Sequence, residues 1–406
     1  MILKIKNISK IVTWNDRKET IDIKINNDII IQDDIITEIG PDLNNSKIDN
    51  VIDAKEGLVT PGFIDCHTHP IFCSDRSLDY KLRTEGKTYE EISFQGGGIK
   101  SSIQSVRESS IKELFNKCLP KVNSFLEKGT TTIEAKSGYG LTLEDEIKSL
   151  EVIKMLNDNS DLDIIPTFMG AHDFPQEYIH DKDAYVDLIC DKMIPQVADK
   201  NLALFCDVFC EEGYFSIEQS EKILRTGLEF GLIPRLHADE FIDSGAAKLA
   251  AEIKAVSADH LMFSSDENLK RMADSGVISV ILPGTTFFLG KKEYVNARKI
   301  FKFGGEIAIA SDYNPGSSFI QSMPFIMFLS NLYCDMSINL SFKACTYNAA
   351  KVLKREHEIG LVKVGYKADL LVWDLDDLAA IPYSFDNSKA ILNVIKNGKI
   401  LSSYNE

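Results

Sequence analysis

The sequence predicts an α/β protein, a TIM-like (β/α)8 barrel joined to a small composite β-sandwich formed by both termini. Three observations carry this expectation. Through the middle of the chain, short apolar runs alternate with longer amphipathic stretches. The two ends have another texture, brief alternating strands separated by polar turns. Histidines and acids collect just after the apolar runs, at the strand ends where a barrel carries its active site.

The ends come first. Residues 20–25 alternate apolar and polar side chains, residues 29–31 follow the polar Asn26-Asn27-Asp28, and residues 35–40 follow Asp33-Asp34. Such alternation marks sheets with one wet face. The texture returns only in residues 368–373 and 391–400. Chain termini tend to lie close together. Residues 1–58 plus 358–406 are therefore expected to form one β-sandwich domain rather than two separate caps, leaving 59–357 as the barrel.

In that middle, apolar runs fall at residues 62–66, 129–136, 162–169, 202–210, 232–237, 255–260, 277–282 and 307–312. Amphipathic segments such as 143–156 and 216–230 lie between them. Strands that each lead into a helix make a (β/α)8 barrel. The doubly wound open sheet is the rival, but no glycine-rich phosphate loop follows the first strand.

Composition narrows the function. The 406 residues exceed one small core and fall short of three typical domains. A formal net charge of −16 argues against binding nucleic acid or an anionic membrane through bulk charge. An acidic substrate would need its own local cation. The eight cysteines form no CxxC pair, with only Cys206 and Cys210 close together, which reads as reduced thiols in a cytoplasm. Residues 1–6 alternate charge with apolar side chains, unlike a signal peptide. No run of eighteen apolar residues occurs, so no membrane span is expected. A homodimer is the default assembly.

Five of the seven histidines end or follow predicted strands. His67 and His69 end strand one; at i and i+2 they leave the strand on one side and can grip one ion. His172 follows strand three, His237 ends strand five, His260 ends strand six and Asp312 ends strand eight. Three imidazoles and one carboxylate hold a divalent ion and leave a position for water, whose pKa then falls to about 7. His67, His69, His237 and Asp312 are the expected ligands. Zinc and iron both suit this set. His260, Asp312 and Glu240 are the expected proton-handling groups. Glu240, three residues past His237, can also be read as a first-turn helix acid.

These residues resemble the amidohydrolase superfamily, through 61–69 (Pro-Gly-Phe-Ile-Asp-Cys-His-Thr-His), His237, His260 and Asp312. Further motifs resemble the imidazolonepropionase family within it. They are Asp75-Arg76, Tyr89-Glu90-Glu91-Ile92, Gly96-Gly97-Gly98-Ile99, Lys136-Ser137-Gly138-Tyr139-Gly140-Leu141 and Gly170-Ala171-His172. His237-Ala238-Asp239-Glu240, Leu282-Pro283-Gly284-Thr285-Thr286-Phe287 and Asp312-Tyr313-Asn314-Pro315-Gly316-Ser317 complete the set. Cys73 and Ser74 depart from the smaller residues usual in that family. The resemblance implies hydrolysis of the cyclic amide C–N bond of 4-imidazolone-5-propanoate, giving N-formimino-L-glutamate. It implies that Asn314, Gly316 and Ser317 contact the ligand.

Arg76 offers a planar fork for the propanoate tail, its plainer role being an ion pair with Asp75 or Asp79. Tyr139 is a donor or stacking partner, and His172 is expected to hydrogen-bond the ring carbonyl. Many superfamily members bridge two metals with a lysine on strand four. Lys136 falls on strand two and strand four has none, so one ion is expected, with Cys210 and Glu211 leaving a second open. A nucleobase-type deaminase, or a non-catalytic metal-binding homologue, is the alternative function.

Overall fold

In the computed structural model, the described residues are 1–406 without 45–46, 88–90, 93–96 and 404–406. The motif residues Tyr89, Glu90 and Gly96 lie outside them. The chain begins with β1 (Ile2–Lys6), β2 (Lys10–Asn15), β3 (Thr20–Ile25), β4 (Asp28–Gln32), β5 (Ile35–Gly40), β6 (Asn50–Asp53) and β7 (Leu58–Pro61). Eight parallel strands follow: β8 (Phe63–Asp65), β9 (Thr130–Lys136), β10 (Asp163–Ala171), β11 (Phe205–Cys210), β12 (Ile233–Ala238), β13 (Ser257–His260), β14 (Ile278–Ile281) and β15 (Ile307–Ile309). The chain ends in β16 (Leu370–Trp373), β17 (Ile391–Lys396) and β18 (Lys399–Ser403).

β8 to β15 pair in sequence order as one eight-stranded sheet. Strands β9 and β11 are buried at every position, as expected of parallel strands covered on both faces. The edges β8 and β15 meet just beyond their ends. Asp312 N–H donates to the His67 carbonyl (3.1 Å) and His69 N–H to the Tyr313 carbonyl (2.8 Å), closing the barrel. That closure brings Asp312 beside the histidines of strand one. The intervening helices start where side chains satisfy their free amides. Thr142 caps the helix Leu143–Asn159, and a reciprocal Ser216–Gln219 box opens Ile217–Glu229.

Both termini build the sandwich. One sheet runs β5-β4-β1-β6 and the other β18-β17-β16-β7-β2-β3. Leu370 and Val372 of β16 face the sandwich core with Leu3, Ile29 and Ile52. Their neighbours Leu371 and Trp373 belong to the barrel core with Phe63 and Phe125. The period of two thus places one strand in two cores. Among the described residues, no helix is long and apolar enough to cross a membrane, and all eight cysteines are free.

Candidate active site

Past β8 the chain runs Cys66-His67-Thr68-His69 in extended form, stitched on one side to β9. Thr68 N–H donates to Glu134 Oε2 (3.0 Å), and Lys136 N–H donates to the Thr68 carbonyl (3.0 Å). The two rings leave together, as their spacing requires. His69 Nε2 lies 3.2 Å from His67 Nε2 and 3.4 Å from His237 Nε2. Asp312 Oδ1 stands 3.4 Å from both His67 Nε2 and His69 Nε2.

The chemistry of this donor set fits a cation. His67 Nδ1 faces Asp259 Oδ2 at 2.6 Å and His237 Nδ1 faces Asp207 Oδ1 at 3.0 Å. A carboxylate oxygen accepts, so each Nδ1 carries the proton and each Nε2 presents a lone pair. Burial first, then neighbouring positive groups, holds His67 and His69 well below the ordinary imidazole pKa. Converging lone pairs repel unless an ion lies among them. Tetrahedral ligands at 2.0–2.1 Å from a zinc ion stand about 3.3–3.4 Å apart, close to the spacings here. Among the described residues, the buried group His67, His69 and His237 is the cluster able to hold a metal.

Asp312 is fixed from behind, its Oδ2 accepting from Thr285 Oγ1 at 2.6 Å. That contact gives the Leu282–Phe287 motif a physical role. Burial raises the Asp312 pKa, with His260 and Thr285 opposing. Asp312 (φ +52°) and His260 (φ +77°) both adopt left-handed backbone. Non-glycine residues held there concentrate at functional sites. His260 Nε2 lies 3.5 Å from Glu240 Oε2. Glu240 is not a helix-start acid, because β12 ends at Ala238 and the next helix opens at Ala246. Its loop is clamped by Asp239, which accepts from Ser244 N–H (3.1 Å), Ala246 N–H (3.1 Å) and Ser264 Oγ (2.5 Å).

A cavity of about 540 Å³ opens over the cage. His69, His237, Asp312, Glu240, His260, Arg76, Tyr139, His172, Asn314, Gly316 and Ser317 line it, and the remaining expected ligand, His67, is fully buried behind. Arg76 lies there without the expected ion pairs. Asp75 accepts from Ser77 N–H (3.0 Å), Asp79 accepts from Gly98 N–H (2.9 Å), and Arg76 Nε has no partner among the described residues. The guanidinium packs on Gly316, where a Cβ would stand 2.4 Å from Arg76 Cζ. Tyr139 lies nearby, its phenol pushed up to about 12 by burial. Its loop wraps the buried Glu146 carboxylate, which accepts from Gly138, Gly140 and Leu141 amides at 2.8–3.0 Å.

The expected role of His172 changes. His172 Nδ1 lies 2.9 Å from the Gly138 carbonyl, which can only accept, so Nδ1 is the protonated nitrogen. Burial lowers its pKa to about 3 and the ring is neutral. Its Nε2 therefore accepts, and cannot donate to a substrate carbonyl. Asn314 organises its own loop, donating to the Asp312 carbonyl (2.7 Å) and accepting from Gly316 and Ser317 amides (2.8 and 2.7 Å). Cys210 and Glu211 join no metal-binding cluster among the described residues. Burial pushes the Cys210 thiol up to about 12, and Glu211 accepts from Phe241 N–H (3.0 Å).

Sequence reasoning passed over Asp207, Arg235, Asp259 and Glu134, all fully buried beneath the cage. A signal existed. Arg235 lies two residues before His237, and Glu134 two before Lys136, so each pair shares a strand face inside apolar strands.

The amidohydrolase family profile matches residues 217–401. An imidazolonepropionase of Brevibacillus brevis is 45% identical over 380 residues, covering 92% of this chain and 89% of its own. One from Geobacillus kaustophilus is 44% identical, covering 93% and 90%, and one from Clostridium tetani 40%, covering 98% and 97%. Among solved structures, Escherichia coli guanine deaminase superposes with a TM-score of 0.76 at 14% identity over 100% of both chains. A zinc-bound adenosine deaminase from Xanthomonas campestris gives 0.74 at 15%, over 98% of this chain and 92% of that one. At such identities these two likenesses speak to the fold alone. The family and the buried triad together indicate a single metal site. With relatives this similar along nearly the whole length, the chain belongs to the imidazolonepropionase family.

Proposed function

We propose that this protein hydrolyses the ring amide C–N bond of 4-imidazolone-5-propanoate to N-formimino-L-glutamate, the reaction of histidine degradation. The observation that carries this reading is an Arg76 guanidinium with no acid on its Nε among the described residues, in the cavity that also holds the histidine cage. A planar, always-charged fork suits a carboxylate tail.

His67, His69, His237 and Asp312 would hold one zinc or iron ion. When bound, such an ion makes water acidic near neutral pH and polarises a carbonyl oxygen. The chain's own groups do the remainder. Arg76 binds the propanoate and Tyr139 borders that subsite. The His172 Nε2 lone pair accepts a ring N–H, fixing the heterocycle's orientation. Asp312 and His260 take a proton as water adds to the ring carbonyl carbon. Glu240, 3.5 Å from His260, returns it to the ring nitrogen as the C–N bond breaks. Gly316, Ser317 and Asn314 shape the floor beneath Arg76. Catalysis belongs to residues 59–357, and residues 1–58 with 358–406 form the supporting sandwich unit.

The test is turnover of 4-imidazolone-5-propanoate beside a panel of purine and pyrimidine bases, with metal content measured on the same preparation. Ring opening with one bound ion, and no deamination, is expected. Deamination without ring opening overturns the proposal.

A further inference from the structure

Five ionisable side chains lie wholly buried in the barrel below the cage: Glu134, Lys136, Asp207, Arg235 and Asp259. Burying charge is costly, and a cluster of this kind is weak evidence for stability. The geometry shows where it leads. Lys136 Nζ donates to Glu134 Oε1 (2.7 Å) and Asp207 Oδ2 (2.6 Å). Asp207 turns its other oxygen to His237 Nδ1. Arg235 Nη2 donates to Asp259 Oδ2 (2.6 Å), the oxygen that also meets His67 Nδ1. Arg235 Nη1 stands 3.4 Å from Glu134 Oε1. Glu134 Oε2 accepts the Thr68 N–H, the amide between His67 and His69.

Glu134 is therefore shared by both buried cations and by the backbone of the ligand segment. We infer that Glu134, which touches no histidine of the cage, is a positioning residue for the metal. It acts through Lys136–Asp207 on His237, through Arg235–Asp259 on His67, and through the Thr68 amide on both strand-one ligands. The charges agree with this role. Glu134, Asp207 and Asp259 face Lys136 and Arg235, and Asp312 faces His67 and His69, so these four acids exceed the two cations by two formal negative charges. A divalent ion offsets that surplus.

The inference rests on the metal-dependent reading above. Its test is the zinc dissociation constant of the full chain, measured by competition with a chromogenic chelator, alongside unfolding of the metal-free protein. Glu134→Gln keeps the shape and an acceptor for Thr68 but removes the charge. Lys136 and Arg235 then draw harder on Asp207 and Asp259, and the cage loses negative charge. Zinc binding should weaken by about 10–100-fold, the range for residues behind a metal ligand. Asp259→Asn attacks the network from the His67 side and should weaken zinc similarly. The double variant should lose less than the product of the single losses, as residues of one network do. A purely structural role would move the unfolding midpoint and leave the dissociation constant alone. If Glu134→Gln does not fold, Asp259→Asn carries the test. Either folded variant binding zinc as tightly as the parent overturns the inference. A parent chain that binds neither zinc nor iron instead defeats the metal reading itself.

Discussion

The pocket's grip on an acid tail can be broken by adding one methyl group. A Cβ on Gly316 would stand 2.4 Å from Arg76 Cζ and 2.6 Å from both Nη atoms. Carbon contacts are comfortable from about 3.5 Å, so the guanidinium must withdraw by about 1 Å. The crowded atoms are the tip of a flexible side chain, so Gly316→Ala should fold with a stability change within about 0.5 kcal/mol. Substrate binding is less forgiving. A hydrogen bond to a charged group is worth about 1.5–3 kcal/mol, and losing one of a forked pair corresponds to a KM about 10–100-fold higher. Gly316 supplies no ligand to the cage, so kcat should hold within a few-fold. Steady-state kinetics on 4-imidazolone-5-propanoate read both constants. Arg76→Met should raise KM at least as far, and adding Gly316→Ala to it should change nothing more, because the glycine acts through the arginine. An unchanged KM in Gly316→Ala, or an equal further loss in the Arg76→Met background, would refute the reasoning.

Three further outcomes follow from the site. His237→Ala removes one of three converging nitrogens, so elemental analysis should find well under one ion per chain and turnover should vanish. Glu146→Gln weakens the acceptor of three loop amides and should cost about 1–3 kcal/mol in denaturant unfolding, with a raised KM as Tyr139 and His172 drift. His172 binds a proton only near about 3 in the fold but near 6.5 when unfolded. Between those values the unfolded chain holds more protons, so this ring lowers stability as pH falls, by about 1.4 kcal/mol per pH unit. Metal-free His172→Gln should therefore lose less stability than the parent between pH 6 and pH 5, and parallel losses would contradict a buried neutral ring.

The sequence by itself determined the order of the barrel and the place of its chemistry. An apolar run long enough for one strand, followed by a histidine or acid, says strand end without any tertiary knowledge. The i,i+2 spacing of His67 and His69 fixed their common direction, since strand geometry is local. Tertiary structure decided what depends on atoms far apart in the chain. The carbonyl of Gly138, 34 residues before His172, selects the tautomer that turns an expected donor into an acceptor. Gly316 packs on Arg76 because a loop after strand eight returns beside strand one. Asn314 ties its own loop together through the Gly316 and Ser317 amides. Glu134, Lys136, Asp207, Arg235 and Asp259 form one network only because four strands turn them toward the same axis. Strand period and residue type are local properties and can be read from a line of letters. Hydrogen-bond partners and buried charge balance depend on which strands the barrel makes neighbours, and only the closed fold sets that.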